Sequence, residues 1–334
     1  MDDVFEPSAL SVSVVIPTYK RLDILKKCLE AVEDMSSPVL EIIITFRPEP
    51  DPETAAWLND AVDAHPKWIL TSLEKPGVIE ALNTAIEIAK GDIIAIFDDD
   101  ALPRTDWLER VLSHYEDPCV AGVGGRDVVH GDQGIMQASD VTIAGVRDYW
   151  GNIIGNHHLV EGEARAVDVL KGCDWSLRRV AIHSLRLDPR LKGVGAQVGN
   201  EAWFCLMLRN AGWKLILDPN AIIDHFPASR SDIDRNIWSR RRCQQDAFNN
   251  TALLMAHSSW RLKLRYIIFM IVVGKRYCPG LYFIAHSLAK RPTVLPGMLL
   301  GGWSGLLMGF AMAKKFRSDP PGQPAKLPSG CVFE

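Results

Sequence analysis

Apolar and polar positions fall along this chain in blocks that predict a repeating order of strand and helix. Ser11 to Ile16 alternates into an apolar run (Val12, Val14, Val15, Ile16) that stops at Pro17, a first strand. The polar loop Thr18-Tyr19-Lys20-Arg21 follows, and Leu22 to Val32 has helical spacing. Leu40 to Phe46 is a second strand, ended by Arg47-Pro48-Glu49-Pro50. Asp51 to Ala64 is a helix with the acidic start that the helix dipole favours. Trp68 to Leu73 is a third strand, broken by Lys75-Pro76-Gly77, and Val78 to Ala89 is an amphipathic helix closed by Gly91. Ile93 to Phe97, short and rich in isoleucine, is a buried fourth strand.

Four strand–helix units in a row argue for an α/β fold with a mostly parallel central sheet and flanking helices, Rossmann-like in its layering. Ligands of such sheets bind beyond the carboxyl ends of the strands. That places Thr18 to Arg21, the loop Arg47 to Asp51, Lys75 and Asp98 to Asp100 on one rim. Three successive carboxylates at the tip of a buried strand repel one another and call for a positive partner. A divalent metal holding a phosphate-bearing ligand meets that need, because hard cations take oxygen ligands. Taken alone, the triplet would also serve as an acidic turn before the helix that follows Pro103.

Trp107 to Tyr115 is a further helix and Val120 to Val129 a further strand. The long stretch Gly131 to Glu163, with Tyr149-Trp150-Gly151-Asn152 in it, has the length of a functional loop or lid. It also holds His157-His158, which read as surface-loop residues because adjacent side chains diverge. Ala166 to Leu170 resumes a strand, a helix opens at Gly199-Asn200-Glu201, and Asp224-His225-Phe226-Pro227 closes the globular part. Two regions are expected, 1–230 and 231–334. The second holds a basic helix at Trp238 to Leu254 and two apolar stretches, Tyr266 to Gly274 and Thr293 to Ala313. Thr293 to Ala313 carries no charge, is just long enough to span a bilayer, and is rich in the glycine that close-packed membrane helices use. Contact with a membrane is expected there, in-plane rather than spanning because the preceding apolar pieces are short.

Charge sharpens this division. The 334 residues have a net charge of −4, which points to no nucleic-acid partner. Between Ser229 and Arg317, however, fifteen lysines and arginines face only Asp232, Asp234 and Asp246, as suits an anionic surface. The seven cysteines are scattered without zinc-site spacing and read as buried thiols of a reducing compartment. The acidic start Met1-Asp2-Asp3-Val4-Phe5-Glu6 lacks the apolar core of a signal peptide.

Several fragments, in order, resemble the family-2 glycosyltransferases of the GT-A fold. Val14-Val15-Ile16-Pro17-Thr18-Tyr19-Lys20-Arg21 resembles their opening strand and nucleotide loop, and Phe97-Asp98-Asp99-Asp100-Ala101-Leu102-Pro103 their metal-binding segment. Gly172 to Arg179 resembles the acceptor-side strand and turn, Gly199-Asn200-Glu201 the helix bearing the catalytic base, and Ile223-Asp224-His225 the late histidine. The resemblance covers roughly Ser11 to Arg230. It implies an inverting transferase that uses a nucleotide-diphosphate sugar and Mg2+ or Mn2+.

Carried over by position, it makes Asp98 and Asp100 the Asp-x-Asp metal pair, with His225 completing the metal or diphosphate site. Pro17, Thr18, Tyr19 and Arg21 would line the nucleotide pocket. Asp98 and Asp99 would stand by the donor, and Asp99 is the acid expected to tolerate replacement best. Arg47, Lys75 and Asn83 are the remaining donor-contact candidates. Glu201 would be the general base, with Asp174 second. The sequence departs from the family pattern at Thr45-Phe46-Arg47-Pro48, where an acidic pair is common, at Leu82-Asn83 in place of Arg-Asn, and at Asn200-Glu201 in place of Glu-Asp.

A sugar hydroxyl is a weak nucleophile, so a carboxylate must take its proton, and the departing diphosphate needs a cation. These residue types meet both needs. The expected acceptor is a saccharide or lipid-linked hydroxyl, and the expected location the cytoplasmic face of the cell membrane, in synthesis of a surface polysaccharide or glycolipid. The competing classes are a sugar-phosphate nucleotidyltransferase, which would want a glycine-rich loop after the first strand, and a non-catalytic scaffold of a membrane assembly.

Overall fold

The computed structural model describes residues 10–131, 134–136, 140–193, 197–227, 239–290 and 295–331. The acidic N-terminus, the expected division between residues 230 and 231, and Arg291 and Thr293 lie outside them.

The first half follows the apolar pattern. β1 (Val12–Pro17), α1 (Leu22–Glu33), β2 (Glu41–Phe46), α2 (Pro52–Ala61), β3 (Trp68–Ser72), α3 (Val78–Ile88) and β4 (Ile93–Phe97) succeed one another. The four strands lie parallel in the order β3-β2-β1-β4. Successive side chains of a strand face opposite ways, so each strand feeds two cores. Val15, Ile43, Ile94 and Ile96 point to the face covered by α3. Val14, Ile16, Ile42, Ile44, Ala95 and Phe97 point to the face covered by α1 and α2.

The second half is mixed. β5 (Ala101–Pro103), α4 (Trp107–His114), β6 (Val120–Gly131), β7 (Gly134–Ile135), β8 (Val146–Arg147), β9 (Ile153–Ile154) and β10 (Arg165–Ala166) lead to β11 (Asp174–Arg178) and α5 (Arg179–Ile182). α6 (Asn200–Asn210) and β12 (Lys214–His225) complete it. β11 inserts antiparallel between β4 and β6, and β12 runs parallel to β6 while taking β5 and β10 as antiparallel partners. The long stretch after β6 is not a bare loop: β8 and β9 form a small ribbon within it. His157, expected at the surface, is buried, and its Nε2 stands 3.0 Å from the Val169 carbonyl.

The C-terminal part holds α7 (Arg240–His257), α8 (Trp260–Val272), the ribbon β13 (Gly274–Lys275) with β14 (Cys278–Pro279), α9 (Leu281–Lys290) and α10 (Leu295–Ser318). α10 is long and apolar enough to cross a membrane, yet its glycines have a partner inside the protein. A Cβ at Gly301 would lie 2.2 Å from the Arg240 carbonyl oxygen, and one at Gly305 2.2 Å from that of Gln244. The stripe therefore brings α10 against the backbone of α7. Phe316, fully buried near the end of α10, meets Trp203 of α6 with ring centroids 4.9 Å apart, so α10 shares a core with the sheet-bearing body.

One expectation about the cysteines is overturned. Cys119 and Cys331 form a disulfide, which ties the chain's last described residue to the start of β6. The other five are free and buried, as expected. A stable disulfide fits a reducing compartment poorly.

Candidate active site

The acidic turn is fixed at both ends by backbone bonds. Asp98 N–H donates to the Cys173 carbonyl at 3.3 Å, Ala101 N–H to the Asp98 carbonyl at 3.0 Å, and Phe226 N–H to the Asp100 carbonyl at 2.8 Å. The turn thus sits where the entry to β11 and the exit of β12 meet the end of β4. The antiparallel register of β5 and β12 sets His225 opposite Ala101, one residue past the turn.

The side chains fall into two groups. On the β1 side, Thr18 Oγ1 donates to Asp99 Oδ2 at 2.8 Å, and Arg21 Nη1 donates to Asp99 Oδ1 at 2.7 Å and Asp100 Oδ2 at 3.0 Å. Arg21 is thus an acid partner as well as a rim residue, and it supplies part of the positive charge the triplet demands. Asp99 is buried and doubly held, against the expectation that it tolerates replacement best.

On the β12 side, His225 Nε2 lies 3.4 Å from Asp100 Oδ1 and its Nδ1 3.2 Å from Asp127 Oδ2. Lys171 also reaches Asp127 with its ammonium group. Burial works against the charge of His225, but its bonds to Asp100 and Asp127 outweigh it and hold the imidazolium up to about 9. Burial, and then the charges of Asp100 and Asp99, push the Asp98 carboxyl up to about 7. Burial raises Asp99 to about 6 against the pull of Arg21.

The two base candidates differ in exposure. Asp174 is completely buried, its Oδ2 has no hydrogen-bond partner, and burial followed by the charge of Asp127 pushes its carboxyl well above the usual range. Burial favours the neutral form of such a group and keeps it from meeting an acceptor that arrives from solvent. Glu201 is half-buried in the first turn of α6, after Gly199 in the left-handed region. Its side chain lies over Gly172, where a Cβ would stand 3.8 Å from Glu201 Cδ, beside Lys171 and Cys173.

The outer rim is looser. Pro17 ends β1, and the exposed ring of Tyr19 lies 5.8 Å from the Arg47 guanidinium, which also donates to the Glu74 carbonyl at 3.4 Å. Asp51 caps α2 by accepting from Thr54 N–H at 3.4 Å, and it also accepts from Lys20 N–H. A cleft of about 610 Å³ opens here, lined by Lys20, Arg21, Asp51 and Thr54 among others. Lys75 is exposed between β3 and α3. Asn83 is not part of this rim contact network. Its amide clamps Leu187, donating to the carbonyl at 2.9 Å and accepting from the N–H at 2.8 Å.

Sequence reasoning missed Asp127, Lys171 and Cys173. The ligand atoms of Asp127, Cys173 and His225 lie within 4.8 Å of one another. The available signals were Arg126-Asp127 interrupting the apolar part of its strand and a lysine just before Gly172-Cys173.

The model of glycosyl transferase family 2 matches residues 13–182. The chain is 36% identical to glycosyltransferase AglE of Haloferax volcanii over 119 residues, 34% of this chain and 38% of that protein. It is 29% identical over 122 residues to the glucosyl-dolichyl phosphate glucuronosyltransferase of the same organism, 36% of this chain and 39% of that one. The match thus spans well under half of either relative. Among solved structures, the mannosyltransferase PcManGT of Pyrobaculum calidifontis, in complex with GDP-Man and Mn2+, superposes with a TM-score of 0.56 at 16% identity. That superposition covers 94% of this chain and 88% of the other, and it shows a shared fold.

Proposed function

The chain belongs to glycosyl transferase family 2, and on that premise we propose that it moves a sugar from a nucleotide-diphosphate sugar to a hydroxyl of a saccharide or lipid-linked acceptor, inverting the anomeric carbon. The observation that carries this reading is the meeting of the Asp98–Asp100 turn with His225, with the Glu201 side chain over Gly172, the residue before Cys173, whose carbonyl accepts the Asp98 N–H.

The residues present suit a divalent cation. Carboxylate oxygens and one imidazole nitrogen are donors for Mg2+ or Mn2+. The charges of Asp100 and Asp99, which together with burial raise the Asp98 carboxyl, are charges that a cation bound at this turn would offset. Asp98, Asp100 and His225 would hold the ion, and the solved mannosyltransferase neighbour carries Mn2+ with its donor. When bound, such an ion stabilises the negative charge that grows on the diphosphate leaving group.

The chain's own groups do the rest. Thr18, Tyr19 and Arg47 line the nucleotide end of the rim, while Arg21 keeps Asp99 ionised and in place. Glu201 takes the proton from the acceptor hydroxyl as its oxygen attacks the anomeric carbon. One displacement from the face opposite the diphosphate inverts that carbon. A lipid-linked acceptor, handled at a membrane surface in making a surface glycolipid or polysaccharide, fits the basic, apolar C-terminal part. One relative's name also specifies a dolichyl phosphate substrate.

A donor panel scored by nucleotide release, with and without Mn2+, finds the substrate. On that substrate Glu201→Gln is expected to abolish transfer while leaving donor binding intact. Turnover by Glu201→Gln at the parent rate would remove the base assignment.

A further inference from the structure

We propose that the outer face of α8, continued by the start of α9, is a docking surface for an anionic phospholipid bilayer, on which the helix lies in-plane. The surface stands on its own geometry; only its use, presenting a lipid-linked acceptor, rests on the transferase reading above.

Trp260, Leu264, Ile268 and Ile271 are 69%, 51%, 46% and 48% exposed. At about 100° per residue they fall within an arc of about 80° on one side of α8. Tyr266 and Met270, on the opposite side, are each 1% exposed and hold the helix to the body. The stripe is therefore not a core face left open by a missing turn. It is a second apolar face on a helix already anchored. Leu281 and Tyr282, 66% and 63% exposed, follow at the start of α9, which the Phe283 N–H to Val273 carbonyl bond at 3.4 Å holds to the end of α8. A contiguous apolar surface of this kind marks an interaction site.

Charge selects the occupant. No aspartate or glutamate occurs between Asp246 and Asp319, while Arg261, Lys263, Arg265 and Arg276 all belong to this part. Arg261 and Lys263 fall on either side of the apolar stripe by the same helical spacing. An apolar face edged with basic residues and carrying tryptophan at its end is the chemistry of an interfacial helix on anionic headgroups. A second copy of the chain would set these cations against their own kind, which disfavours self-association through this face. α8 has 13 residues, about 20 Å of helix, and cannot span a hydrocarbon core of about 30 Å.

This moves the membrane contact from the place the sequence suggested. The glycine face of α10 is occupied by α7, whereas the outer face of α8 is exposed among the described residues. It also links the surface to the long stretch after β6. The Arg265 guanidinium stands 3.8 Å over the Tyr149 ring, and Trp150 meets Phe269 at 6.0 Å, so the turn between β8 and β9 rests on α8.

The test is flotation of the full chain with vesicles of phosphatidylcholine alone or mixed with phosphatidylglycerol. The parent chain is expected to float with the mixed vesicles, and less so with neutral ones or in high salt. The combined variant Leu264→Gln, Ile268→Gln, Ile271→Gln is expected to lose binding about tenfold or more, with an unchanged melting temperature because these side chains are exposed. Arg261→Gln with Lys263→Gln should weaken binding to mixed vesicles alone. Flotation of the triple variant like the parent, or no flotation of the parent, overturns the proposal. So does a parent dimer that the triple variant dissociates without any vesicle binding, which would make the face an interface between copies. Sugar transfer to a soluble acceptor is measured alongside: vesicle binding without transfer keeps the surface and removes the enzymatic reading, and transfer without vesicle binding does the reverse.

Discussion

Nε2 of His225 lies 3.4 Å from Oδ1 of Asp100. The contact follows from strand pairing, since antiparallel β5 and β12 carry the end of one strand back past the acidic turn of the other. Asp127 engages the second ring nitrogen, so the imidazole is held from both sides. An orientation fixed in this way is what a metal-ligating or diphosphate-binding histidine needs.

Asp99 is the first point at which the structure changes an expectation into a measurable one. Asp99→Ala leaves the Thr18 hydroxyl and one Arg21 contact without an acceptor in a buried place. Unfolding by urea should show a loss of about 2 kcal/mol. Asp99→Asn, which keeps an acceptor oxygen, should lose less. Equal stability of Asp99→Ala and the parent would mean that the acid is dispensable after all.

The glycine stripe of α10 predicts opposite effects from one substitution type. Alanine is worth about 1 kcal/mol over glycine in a helix interior. At Gly297 the new Cβ would stand 3.8 Å from its nearest neighbour, Arg240 N, so Gly297→Ala should raise the melting temperature. At Gly305 it would stand 2.2 Å from the Gln244 carbonyl oxygen, and forcing the helices apart should cost about 2 kcal/mol net. Calorimetric melting of the two variants separates packing on α7 from packing in a membrane, where Gly305 would be indifferent to α7.

His257 should give the fold an acid-sensitive window. Burial, with Lys263, Arg147 and Arg317 adding to it against the charge of Asp188, holds this imidazole down to about 4. It packs against Trp203 at 4.4 Å. The unfolded chain takes the proton at about 6.5, so its stabilising effect is complete above that pH and declines as pH falls toward 4. The decline is of order 3 kcal/mol. His257→Leu should flatten stability across this window relative to the parent, and an unchanged slope would assign the acid sensitivity elsewhere.

The parts of the fold that were legible in sequence are those with local causes. The alternation in β1, the isoleucines of β4 and the breakers Pro17 and Gly77 placed four strands and the rim without reference to distant residues. What was not legible depends on long-range pairing. Nothing near Asp127 says that the parallel pairing of β6 with β12 will bring it to His225, and nothing near Cys119 points to Cys331. The glycines of α10 were visible but ambiguous, because close helix packing uses the same residues in lipid and in a protein core. Asp99 is ranked differently by the two sources: the Asp-x-Asp pattern ranks the acids by spacing, while burial and the reach of Thr18 and Arg21 give this one a structural load that no local pattern announces.

The most direct test is calorimetric titration of nucleoside diphosphate into the chain with Mn2+ present, comparing the parent with Asp100→Asn. If Asp98, Asp100 and His225 form the metal seat of a nucleotide-sugar site, the parent binds in a Mn2+-dependent manner. Asp100→Asn then binds roughly 100-fold more weakly, its melting transition still cooperative. Mn2+-dependent binding of the nucleotide by Asp100→Asn at the parent's affinity would contradict it.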